Sequence, residues 1–121
     1  MPRILAVDDS AAMRQMVGVT LEAAGYEVVC ASDGDEALEM AKEQTPVDLV
    51  ITDVNMPNMD GIQLIRALRA DARYRHTPIL MLTTESSQEK RREGKSAGAT
   101  GWIVKPFEPG FLVSSLNRVL R

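Results

Sequence analysis

The chain has 121 residues, 45% of them apolar and 26% charged, with a formal net charge of −3. That is the size and balance of one globular domain able to bury its own core. The negative balance argues against nucleic-acid binding through phosphates, no apolar run nears the ~18 residues of a membrane span, and the single cysteine, Cys30, has no internal disulfide partner.

Ile4–Val7 reads as a first strand, closed by Asp8-Asp9-Ser10. Met1-Pro2-Arg3 runs straight into it, which leaves no room for a secretion signal. With the lone cysteine this fits a reducing, cytoplasmic setting. Ser10 is placed to cap a helix through about Ala24, with Met13, Val17 and Leu21 as its buried stripe and Gly25 as its stop. Glu27–Ala31 is the second strand. Asp33-Gly34-Asp35 opens a helix that carries Ala37, Leu38 and Ala41 to about Glu43, where Thr45-Pro46 stops it.

Asp48–Thr52 is the third strand, and its continuous Leu49-Val50-Ile51 run predicts burial on both faces. Asp53 ends it abruptly, and a turn segment with Pro57 and Gly61 follows. A helix runs from Gly61 to about Ala72. Pro78 precedes the fourth strand, Ile79–Leu82, which ends in Thr83-Thr84. Ser86 or Ser87 starts a fourth helix to about Ala97. Gln88 to Ser96 holds no strongly apolar residue and includes Gly94, so this helix is expected to be marginal and easily displaced. Gly101–Val104 is the fifth strand, ending in Lys105-Pro106. Glu108-Pro109 opens a last helix with Leu112, Leu116, Val119 and Leu120 on its apolar side.

Strict alternation of five strands and five helices predicts an α/β domain over residues 1–121. Its parallel sheet carries helices on both faces, doubly wound in the flavodoxin-like order 2-1-3-4-5. In that winding Asp8 and Asp9 leave the first strand beside Asp53 leaving the third, with Thr83 and then Lys105 on the far side. Ligand chemistry in open parallel sheets sits at this rim. Three carboxylates in one crevice repel one another, and a hard divalent cation with oxygen ligands, Mg²⁺, removes the conflict. An acid, a metal-binding pair, a hydroxyl and an ammonium are the parts needed for phosphoryl transfer onto a carboxylate. Alone, Asp8-Asp9 would be a charge device at a helix start. The company of Asp53 and Lys105 turns it into a site.

Asp8-Asp9-Ser10, Asp53 with Met56-Pro57, Asp60-Gly61, Thr83, and Lys105-Pro106-Phe107 stand in one register over the whole chain. On these motifs the sequence resembles the receiver domain of two-component response regulators, and within it the single-domain chemotaxis (CheY-type) regulators. The resemblance implies Asp53 as phosphoacceptor. It implies Mg²⁺ held by Asp9, Asp53 and the Asn55 backbone carbonyl, with Asp8 acting through water. It makes Lys105 the phosphoryl clamp, joined to Pro106 by a cis bond. Thr83 would move toward the phosphoryl group and draw the following loop, after which Trp102 turns inward. Tyrosine is usual at that last position, and indole donates from a different reach. Asn55 and Glu85 would tune water access and give a short-lived phosphoryl state.

The implied partners are a histidine kinase, the flagellar motor switch protein and a phosphatase, without nucleic acid or membrane insertion. The chain itself is expected not to be an enzyme beyond accepting and losing its own phosphoryl group. A phosphate sink or relay receiver without motor binding is the alternative within this class. A Mg²⁺-dependent aspartyl-phosphate phosphatase is a second class. Such enzymes place an acid–base aspartate two residues after the nucleophile, where this chain has Asn55. A flavin carrier of the same winding would need a hydroxyl- and glycine-rich loop in place of Asp8-Asp9. Elsewhere, Cys30 and the methionines at 13, 16 and 81 are expected inside, and His76 in an exposed connection. Glu89–Glu93 reads as a solvated face. Met56 and Met59 are left between core and partner surface.

Overall fold

In the computed structural model, residues 1–43 and 46–120 are described. Five strands, β1 (Arg3–Val7), β2 (Glu27–Ala31), β3 (Leu49–Thr52), β4 (Ile79–Thr83) and β5 (Gly101–Val104), alternate with five helices. The helices are α1 (Ala11–Ala23), α2 (Gly34–Glu43), α3 (Gly61–Arg69), α4 (Gln88–Ala97) and α5 (Pro109–Val119). All strands are parallel in the order β2-β1-β3-β4-β5, as predicted. The expected stop of α2 at Thr45 lies outside the described residues.

The three central strands are almost wholly buried, whereas β2 and β5 at the edges are mixed. Successive side chains go to opposite faces. Leu5, Val7, Val50, Ile79 and Met81 join Ala37, Ile62, Leu64 and Leu68 on the α2–α3 side. Ile4, Ala6, Leu49, Ile51, Leu80 and Leu82 join Val17, Leu21, Leu112 and Leu116 on the α1–α5 side. One sheet face thus lies under α1 and α5, and the other under α2 and α3 with Ala97 of α4 packed at its margin.

The helix starts follow their local chemistry. Ser10 accepts from the Met13 amide, Asp60 and Gln63 form a reciprocal capping box, and Ser87, not Ser86, caps α4 through the Lys90 amide. Glu108 caps α5 ahead of Pro109. Gly98 closes α4 in the left-handed region with φ of 114°.

Four expectations are corrected. Helix α3 ends at Arg69, and a 3-10 turn at Ala72–Tyr74 follows. The Asp71 carboxylate takes the Arg73 amide and guanidinium, a local bond that competes with helix continuation. Those hydrogen bonds hold the Asp71 carboxyl down at about 2. Tyr74 is then buried, its hydroxyl donating to the Ala41 carbonyl at 2.6 Å. Cys30 is exposed: it lies on β2, an edge strand of mixed burial, beside the polar side chains Arg14, Gln15 and Glu22 of α1. Met16 is 53% exposed on the outer side of α1, while Met13 is half-buried and Met81 fully buried. The strand predicted from Asp48 begins at Leu49, since the Asp48 carboxylate turns back to accept from the Arg3 amide at 2.7 Å. Met56 and Met59 pack half-buried against the α2–α3 core. His76 is exposed, as expected.

Candidate functional site

The β1 and β3 strands end side by side, with Val7 paired to Thr52, so the next residues of both chains meet at one rim. Asp8 and Asp53 leave those strands buried, at 5% and 8% exposure, and Asp9 beside them is exposed. One oxygen from each of the three carboxylates falls within 4.8 Å of the others. One oxygen of each buried acid is fixed by a backbone amide. Asp8 Oδ1 accepts from the Ser10 amide at 2.9 Å, and Asp53 Oδ1 accepts from the Val54 amide at 2.7 Å. Arg14, unnoticed in the sequence, donates to the Asp8 carbonyl at 2.7 Å and ties α1 to the rim.

Lys105 reaches the same point from β5. Its amide donates to the Thr83 carbonyl, and the bond to Pro106 is cis. Its Nζ donates to Asp8 Oδ2 at 2.7 Å and to Asp53 Oδ2 at 3.1 Å. Burial of the ammonium alone would lower its pKa. The hydrogen bonds and charges of Asp8 and Asp53 outweigh that and hold it above the ordinary lysine value.

The loop over the site depends on one close approach. A β-carbon on Gly61 would lie 2.0 Å from the Asp53 carbonyl oxygen, and the Gly61 amide donates to the Val54 carbonyl at 2.8 Å. Only glycine lets the start of α3 lie against the strand end that carries Asp53.

Thr83 is fully buried on the other side. Its hydroxyl accepts from the Glu85 amide at 3.1 Å, and the Glu85 carbonyl accepts from Trp102 Nε1 at 2.9 Å. Residue 85 therefore joins Thr83 to Trp102 through its backbone, a link that strand patterns do not reveal. The Glu85 carboxyl is held below the usual range by hydrogen bonds from Ser87 first and, more weakly, from the Asn55 side chain. The two expected tuning residues are thus neighbours. Asn55 itself is exposed.

Asp8, Asp9, Asp53 and Lys105 meet at this rim, and Thr83, Glu85 and Trp102 form a hydrogen-bonded path of their own. The donor set near Asp8, Asp9 and Asp53 is oxygen only, which suits a hard cation such as Mg²⁺ and not a softer metal. Among the described residues no buried side-chain polar atom lacks a hydrogen-bond partner, and no helix is long and apolar enough to cross a membrane.

The family model for the response regulator receiver domain matches residues 4–117. The chain is 40% identical over 119 residues to the chemotaxis protein CheY1 of Helicobacter pylori, covering 98% of this chain and 96% of that protein. Its structure is similar to that of the chemotaxis protein CheY4 of Vibrio cholerae, with a TM-score of 0.94, 56% identity and 99% of each chain covered. It is also similar to the receiver domain of a sensor histidine kinase from Pseudomonas aeruginosa, solved with a magnesium ion coordinated in its active-site cleft. There the TM-score is 0.90 and the identity 30%, over 98% of this chain and 97% of that one. With the matched fold and the paired acids facing Asp53 and Lys105, the chain belongs to the response regulator receiver domain family.

Proposed function

We propose that the chain is a phosphorylation-activated signalling switch that accepts a phosphoryl group from a histidine kinase onto Asp53. The observation that carries this reading is the shared contact of Lys105 with Asp8 and Asp53, inside a cluster of three carboxylates. Asp53 is the nucleophile. One of its carboxylate oxygens forms the new O–P bond as the N–P bond of the donor phosphohistidine breaks. Lys105 transfers its hydrogen bond from the carboxylate to a phosphoryl oxygen. Thr83 turns its hydroxyl toward another and releases the Glu85 amide.

Asp8, Asp9, Asp53 and the Asn55 carbonyl would hold Mg²⁺, which neutralises charge on the transferred group when bound. The chain catalyses nothing on other substrates. It gains and loses its own phosphoryl group.

The output face lies around Trp102. A cleft of about 240 Å³ there is lined by Arg91, Lys95, Thr100 and Trp102, a cationic and aromatic wall suited to an acidic partner segment. With the chemotaxis relatives, this supports the flagellar motor switch protein as partner and the cytoplasm as location. A phosphatase acting on the phosphoryl group completes the set. The test is two-fold. A histidine kinase charged with ATP should label the wild type and leave Asp53→Asn unlabelled. Binding of a motor switch peptide should then rise with labelling. Labelling without any change in binding would instead identify a phosphate sink.

The lifetime of the phosphoryl group should be set by Asn55 and Glu85. Like any ordinary carboxylate, Glu85 is ionised at neutral pH, so it can accept from a water. Asn55→Ala and Glu85→Ala are each expected to lengthen the lifetime by roughly 10-fold, an order below the effect of a full general base. Decay of radiolabelled Asp53 measures this, and unchanged decay in both variants would remove the assignment.

A further inference from the structure

The chain has one tryptophan, and its half-buried ring is held at two ends. At one end Nε1 donates to the Glu85 carbonyl at 2.9 Å. At the other end the outer ring edge lies over Gly94, the one buried residue of α4. A β-carbon on Gly94 would stand 2.8 Å from Trp102 Cζ3, well inside carbon–carbon contact at ~3.5 to 4.0 Å. Nothing else demands glycine here. Gly94 sits inside a helix, where alanine is the better former, and it is not among the glycines of positive φ.

We propose that Gly94 is a positioning residue of the switch. Its missing side chain forms the notch that seats the Trp102 indole, and only in that seat does the indole N–H reach the Glu85 carbonyl. Helix α4 has only Gly94 fully buried, with Ala97 partly buried against the core at its end, and the ring ties its middle to the loop after β4. Thr83, the Glu85 peptide, the indole and Gly94 form one connected path. The functional meaning of that path rests on the reading of Thr83 and Trp102 as a switch. The seat itself belongs to the unphosphorylated chain.

The test uses the full chain without phosphodonor. Tryptophan emission reports Trp102 alone, since it is the sole tryptophan. Gly94→Ala is expected to shift that emission to the red and to speed exchange of the indole Nε1–H, whose partner is the Glu85 carbonyl, by about 10-fold, one lost hydrogen bond. Trp102→Phe shortens the ring and removes the N–H. In that background Gly94→Ala is expected to raise the melting temperature, as helix propensity alone dictates.

In the wild-type background, where the new methyl meets the ring, Gly94→Ala is expected to lower the melting temperature, so the sign of the alanine effect should reverse between the two backgrounds. Gly94→Ala that raises the melting temperature in both, with unchanged emission, would overturn the proposal. If Gly94→Ala fails to fold, the double variant decides. The proposal requires it to fold, and its failure to fold overturns the seat. Absence of Asp53 phosphorylation in the wild type would sink the receiver reading without altering either result.

Discussion

Lys105→Met should lower the unfolding free energy by about 3 kcal/mol in the absence of divalent cation, the cost of breaking a buried ion pair by removing one partner. The side chains of Asp8 and Asp53 are 8% and 10% exposed, and Lys105 is the cation that both contact. Methionine fills much of the same volume but leaves two carboxylates facing each other without compensation. Added magnesium should then recover part of the loss, since any ligand of the folded state alone stabilises it by mass action. Urea denaturation with and without magnesium measures both effects. Equal stability of variant and wild type would show that the Lys105 contacts do not carry the assigned energy.

The same ammonium sets a pH signature. Its folded-state pKa is raised, so its contribution is complete below the ordinary lysine value of 10.5. It is lost only as pH rises through the elevated folded value. On the alkaline side, the stability gap between wild type and Lys105→Met should therefore persist from neutral pH until the pH rises through that elevated value.

The second large effect concerns Thr83. Thr83→Ala should leave Asp53 able to accept a phosphoryl group while disconnecting Trp102 from it. The buried hydroxyl holds the Glu85 amide, and the Glu85 carbonyl holds the indole. Alanine removes the hydroxyl that holds the Glu85 amide and that the proposed switch turns toward the phosphoryl group. The direct stability cost is about 1 kcal/mol for the lost hydrogen bond. The functional cost is larger. A coupling of order 10-fold between phosphorylation and partner affinity, ordinary for a two-state switch, should fall to nearly none. The emission of Trp102 on addition of acetyl phosphate and magnesium gives the readout. A full emission change in phosphorylated Thr83→Ala would exclude Thr83 as the transmitter.

The sheet and its rim were legible because each strand is an apolar run that stops at a polar residue. Ile4–Val7 stops at Asp8, Leu49–Thr52 at Asp53 and Gly101–Val104 at Lys105. Strict alternation then allowed one winding to put those stops together. What stayed hidden depends on contacts that have no sequence period. The end of α3 is set by Asp71 taking Arg73, and further by Arg69, whose guanidinium donates to the Tyr74, Thr77 and Gly98 carbonyls. The exposure of Cys30 and Met16 follows from an edge strand and an outer helix face, which composition does not distinguish from buried ones. The lack of apolar residues in α4 was visible in Gln88–Ser96, but the indole lying on Gly94 required the fold.

The most direct measurement is the intact mass of the protein after treatment with acetyl phosphate, with magnesium present or chelated. The expected result is a gain of one phosphoryl group only with magnesium, mapped to the peptide holding Asp53 and absent from Asp53→Asn. A gain that survives chelation, or that persists in Asp53→Asn, would contradict the assignment of this carboxylate cluster as a metal-assisted phosphoryl acceptor.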